Sequence, residues 1–151
     1  MGRTVIVTGT GNNGSQPWHA GGILQQGKTE EIQLAVGVFE PTLNVQLWKD
    51  YEDEMEIYLE SPSGERIGPL YERLGPQRHL LENTELLIYY GKPGPYQLSQ
   101  EIYIDFLPVE TYVDSGDWKI ILSGKKVRGG EYYLWLPGGN TLNRGTGFYE
   151  P

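Results

Sequence analysis

The sequence predicts an all-β protein, an antiparallel β-sandwich of jelly-roll-like form, on three observations. Apolar and polar residues alternate with a period of two in one segment after another. Glycine and proline, 21 and 10 of the 151 residues, punctuate these segments as turn signals. No stretch holds a helical period for more than a turn or two. A strand with one packed and one wet face alternates in this way. Many short strands joined by glycine and proline turns build a sandwich or a barrel.

The first segment differs from the rest. Thr4-Val5-Ile6-Val7-Thr8 is a β-branched run without alternation, the pattern of a buried strand of parallel type. Residues 9–14, Gly-Thr-Gly-Asn-Asn-Gly, form a loop that needs unusual backbone angles. From Trp18 onward the period is two. Glu31-Ile32-Gln33-Leu34-Ala35-Val36, Leu43-Asn44-Val45-Gln46-Leu47-Trp48 and Met55-Glu56-Ile57-Tyr58-Leu59-Glu60 all alternate. Residues 78–81, 85–90, 100–106, 118–122 and 131–136 are five further strands. Turns fall at Ser61-Pro62-Ser63-Gly64, Gly91-Lys92-Pro93-Gly94-Pro95, Ser115-Gly116-Asp117 and Pro137-Gly138-Gly139. Residues 108–115 are read as a short helical turn. No internal repeat is visible, and residues 140–151 carry no pattern of their own.

Composition narrows the function. The net charge is −8, so the surface repels phosphate backbones and nucleic acid is not an expected partner. With no cysteine, disulfides, thiolate metal sites and cysteine nucleophiles are excluded. No apolar run approaches the ~20 residues that span a bilayer as a helix, and no membrane partner is expected. Met1-Gly2-Arg3-Thr4 lacks the layout of a signal peptide. Localisation is not legible from these features.

Few residues stand out as chemical. His19 reads as a loop residue beside Trp18, and His79 as part of a strand. No spacing joins either histidine to an acid and a serine such as Ser15 as a triad, or to further ligands as a metal site. Asp50-Tyr51-Glu52-Asp53-Glu54 lacks the ligand spacing of a calcium loop and is expected to be a solvated turn between two strands. Asp114 and Asp117 are expected turn residues. The four tryptophans and eleven tyrosines raise a carbohydrate-binding face as an alternative function. Against it, Trp48, Trp118 and Trp135 lie in or at the start of apolar strand patterns and are assigned to the sandwich interior. In Tyr132-Tyr133 and Tyr89-Tyr90 one ring points to each face.

Val5-Ile6-Val7-Thr8-Gly9-Thr10-Gly11-Asn12-Asn13-Gly14 resembles the subtilase family, in which a core strand ends in a small-residue turn followed by Gly-Asn-x-Gly. Trp18-His19-Ala20-Gly21-Gly22, the run from Glu31 to Gly37, the run from Thr42 to Tyr51 and Ser61-Pro62-Ser63-Gly64-Glu65 come next in order. This series is similar to the β-sandwich domain inserted in clostridial-type subtilases between the oxyanion-hole asparagine and the catalytic serine motif. Gly145-Thr146-Gly147-Phe148-Tyr149-Glu150-Pro151 resembles the segment that returns to the catalytic domain. The resemblance implies three parts: residues 1–17, oxyanion strand and loop; residues 18–138, insertion domain; residues 139–151, return segment. The first strand is then orphaned from a subtilase α/β core.

The resemblance further implies that Asn12 is the oxyanion-hole donor, acting only within the parent enzyme. The family's serine stands in Gly-Thr-Ser-Met-Ala. Here the nearest string, Gly145-Thr146-Gly147, has no serine, and the aspartate and histidine motifs of the family would precede Met1. The resemblance therefore implies a non-catalytic accessory domain of a serine endopeptidase that stabilises or regulates it. Its expected partners are the parent catalytic domain and that enzyme's protein substrates, with no cofactor and no metal. A bacterial protein, secreted or spore-associated, is implied.

Overall fold

The computed structural model describes residues 18–70, 75–91, 99–137 and 146–148. Among them the chain forms eleven strands and no helix. They are β1 (His19–Ile23), β2 (Thr29–Val36), β3 (Leu43–Asp50), β4 (Glu54–Glu60), β5 (Arg66–Ile67) and β6 (Gln77–Leu81), then β7 (Thr84–Tyr90), β8 (Ser99–Pro108), β9 (Gly116–Lys126), β10 (Glu131–Trp135) and β11 (Gly147–Phe148). One sheet has the order β1-β10-β3-β8-β7-β6 and the other β11-β2-β9-β4-β5. Every pairing is antiparallel. The chain is an all-β, two-sheet antiparallel sandwich.

Alternation decides which way each side chain points. In β3, Leu43, Val45 and Leu47 are buried while Asn44, Gln46 and Trp48 turn outward. Ile102, Ile104 and Phe106 of β8 and Leu86 and Ile88 of β7 extend the same inner face. From the other sheet Leu34, Ile57, Leu59, Trp118, Ile120 and Leu122 meet them, all nearly inaccessible to solvent. Each fully buried aliphatic side chain stabilises the fold by roughly 1.5–3 kcal/mol. At the centre Phe106 and Trp118 join the sheets edge to face, with ring centroids 5.0 Å apart. Such geometry adds about 0.5–1.5 kcal/mol beyond burial. The indole N–H of Trp118 donates to the Asp114 carbonyl at 2.9 Å, so the buried ring leaves no polar atom unmatched.

The turns lock onto one another through a few buried polar groups. Lys49 Nζ donates to the Asp53 carbonyl at 2.6 Å and the Asp50 carbonyl at 3.1 Å. The Asp53 carboxylate accepts from Arg128 N at 2.8 Å and Gly130 N at 2.9 Å, pinning the β9–β10 turn to the β3–β4 turn. Gly130 sits at φ 75° and its carbonyl accepts from Leu24 N at 2.8 Å. A Cβ there would lie 2.0 Å from the Leu24 carbonyl oxygen, so only glycine fits.

All eight strands expected after Trp18 are present, each reaching at least most of its expected length. Three more are additions. β1 is built on His-Ala-Gly-Gly-Ile, which has no apolar alternation, and β5 and β11 have two residues each. His19 therefore opens a strand, not a loop. The helical turn expected at residues 108–115 is absent: residues 109–112 are bends. The two ends of this stretch bond to distant chain instead, Val109 N to the Asn83 carbonyl and Val113 N to the Glu40 carbonyl. The strand expected at residues 4–8 lies outside the described residues.

Candidate functional site

The first and last described segments, Trp18–β1 and β11, lie at one edge of the sandwich. β1 is the end strand of the first sheet and β11 the end strand of the second, and the two are in contact. Trp18, just before β1, accepts from Leu136 N at 2.8 Å through its carbonyl. Residues 18, 136–137 and 146–148 are thereby gathered along this edge.

Thr146 ties that edge down. Its hydroxyl accepts from Gly37 N at 2.8 Å and donates to the Glu40 carboxylate. Both Thr146 and Glu40 are buried. One hydroxyl thus fastens both shoulders of the β2–β3 loop to the strand just after it. The Glu40 carbonyl accepts from Val113 N at 2.8 Å, which brings in the β8–β9 loop as well. That loop is closed by Asp114, whose carboxylate accepts from Asn83 N at 2.9 Å and Thr84 Oγ1 at 2.8 Å. Asp114 lies in this loop, whereas Gly116 and Asp117, expected in a turn, belong to β9, where they pair with Val36 and Ala35 of β2.

The outer face of the six-stranded sheet is aromatic. His19, Trp135, Gln46, Tyr103 and Tyr89 stand directly opposite one another across five strands. Gly21, Tyr133, Trp48 and Glu101 form the adjacent row. From β10 to β7 the rings cover about 14 Å at the usual strand spacing. Tyr133 is 58% exposed and Trp135 55%. The Tyr133 ring leans over the edge strand, where a Cβ on Gly21 would come within 3.0 Å of it. Tyr103 donates to Glu101, and Asn44 to Asp105, so carboxylates and amides interleave with the rings.

This corrects the assignment of the tryptophans. Trp118 is interior, but Trp48 and Trp135 face outward. The physical reason is parity: Trp48 shares its face with Asn44 and Gln46, and Trp135 shares its face with Glu131 and Tyr133. The tyrosine pairs divide as expected. Tyr132 is buried and Tyr133 exposed; Tyr90 packs on the core while Tyr89 lies on the surface.

Asn12 and Ser15 lie outside the described residues. His19 and His79 stand on β1 and β6, the opposite ends of one sheet, on the order of 24 Å apart. No triad unites them. In the acidic run, Asp50, Tyr51, Glu52 and Glu54 are exposed, whereas Asp53 is buried and anchors the β9–β10 turn. Among the described residues no three histidine or acidic side chains are grouped to hold a metal ion.

Four groups among the described residues have shifted proton affinities: Tyr58, Tyr103 and Tyr132 upward and Glu82 downward. Burial, and then its hydrogen bond to the Glu30 carboxylate, push the Tyr132 phenol well above its ordinary value. Hydrogen bonds from Ser61 and Ser63 hold the Glu82 carboxyl below the usual range.

No family model and no curated protein matches the sequence. Among solved structures, the structure of the Clostridium perfringens CspB protease matches with a TM-score of 0.80 and 26% sequence identity. The match covers 93% of this chain and 28% of that protein. The chain therefore spans less than a third of the length of the protease it resembles, and the likeness is that of a domain to part of a larger enzyme.

Proposed function

We propose that the sandwich is a non-catalytic accessory domain inserted in a subtilisin-like serine endopeptidase, which it stabilises or regulates. The observation that carries this reading is the likeness, over 93% of the chain, to 28% of the CspB protease. The gathering of residues 18, 136–137 and 146–148 along one edge supports it, because an inserted domain must receive and return the chain at neighbouring points.

In this reading Asn12 belongs to the parent active site. Its side-chain amide N–H donates to the oxygen that becomes negative as the peptide carbonyl is attacked, and so stabilises the tetrahedral transition state. A nucleophile and a base must come from the parent, since an oxyanion donor alone supplies no reaction path. The sandwich acts as a rigid body holding the chain on either side of it. Replacing residues 18–137 of the parent enzyme with a short linker should lower both its thermal stability and its peptidase activity. Retention of both would overturn the accessory role.

A second reading, a glycan-binding module, is favoured by one observation: Trp48, Trp135, Tyr133, Tyr103 and Tyr89 share an outer face with amides and carboxylates. Tryptophan emission titrated with neutral oligosaccharides tests it. A saturable shift supports that reading, and an unmoved spectrum with every sugar removes it.

A further inference from the structure

We propose that the tip of the β2–β3 loop, Val38 and Phe39, together with Tyr112 and Val109, is the surface that docks on the parent catalytic domain. The inference rests on the insertion reading and names the contact through which it would work.

Phe39 has a backbone that its side chain opposes. It sits at φ 64°, in the left-handed region, where a bulky residue is rare and strained. Glycine or asparagine would take that conformation more readily. The strain does not serve the core, because Phe39 is 64% exposed. Its ring meets Tyr112 edge to face, with centroids 5.3 Å apart. Val38, Tyr112 and Val109 are exposed as well. The fold thus holds an aromatic pair and two valines toward solvent at a backbone cost.

The place of this knob selects its partner. Gly37 and Glu40, the residues on either side of Val38-Phe39, are the two that bond Thr146. Tyr112 is next to Val113, whose N–H donates to the Glu40 carbonyl. The apolar tip is therefore anchored to Thr146, the residue that leads into β11 near the end of the described chain. A surface covalently next to that segment meets the adjoining domain before any free partner can. Val38, Phe39, Tyr112 and Val109 are uncharged, with exposed Glu110 the one charge in the bend at 109–112, a composition that suits an apolar contact with a polar rim.

The test compares Phe39→Asn in two settings, the 151-residue chain and the full-length parent. In the short chain the substitution relieves the left-handed strain and removes an exposed ring, so its melting temperature should hold or rise. In the parent it should fall by about 4 °C, as expected for the loss of an interface anchor, and cleavage by a second protease at the domain junction should accelerate. Leu80→Asn, at an equally exposed apolar residue on β6 at the far end of the sheet, should shift both settings alike. A parent carrying a catalytic domain in which Phe39→Asn behaves as it does in the short chain would overturn the docking surface while leaving the insertion reading intact. A reading frame without a catalytic domain would overturn both.

Discussion

At the scale of single residues, polar groups inside the sandwich fasten loops to each other. Asp53 is the clearest case, with both carboxylate oxygens spent on backbone N–H groups of the β9–β10 turn. Tyr132 offers a measurable one. Burial and its bond to Glu30 keep the phenol protonated to higher pH in the folded chain than in the unfolded one, whose tyrosines ionise near pH 10. A raised folded value means that the stabilisation is complete below about pH 10. It is lost as pH climbs from there toward the folded value, while only the unfolded chain releases the proton. Tyr132→Phe should cost about 1–2 kcal/mol at pH 7 through the lost hydrogen bond, and should flatten the decline in stability between about pH 10 and pH 11. Urea unfolding of both proteins across that range checks the difference. An equal decline in both would contradict the role given to Tyr132.

At the scale of elements, legibility in the sequence depends on how much periodicity an element carries. β3, β4 and β8 alternate over seven to ten residues, and each is legible. β1 is not, because its glycines face neighbours that supply the packing: Tyr133 covers Gly21 and the Tyr132 hydroxyl lies against Gly22. β11 is not, because two residues carry no period and its pairing depends on Thr146 reaching Glu40. The outward turn of Trp48 and Trp135 is legible in principle, from their parity with polar neighbours, but the hydrophobicity of the indole rings argues the opposite way and masks it. The oxyanion loop rests on resemblance alone, since a glycine-rich turn with asparagine is chemically undistinguished. Thr146→Val keeps the shape of that side chain and removes the hydroxyl that bridges Gly37 and Glu40. The amides of Leu34 and Phe148 should then exchange with deuterium roughly tenfold faster or more, while those of β3 and β8 stay protected. Unchanged exchange at β11 would show that its strand pairing holds without Thr146.

At the scale of the whole molecule, two sheets close a continuous core, with an aromatic outer face and one edge that holds both ends of the described chain. That edge, together with the likeness to part of a clostridial protease, is what supports the proposed insertion. No helix among the described residues is long and apolar enough to cross a membrane. The most direct measurement is the DNA sequence on both sides of the coding segment. The account predicts aspartate and histidine motifs of a subtilase upstream of Met1 and a Gly-Thr-Ser-Met-Ala motif downstream of Pro151, in one frame. A frame that opens near Met1 and stops after Pro151, or that continues into an unrelated domain, would contradict it and leave the aromatic face as the first site to test.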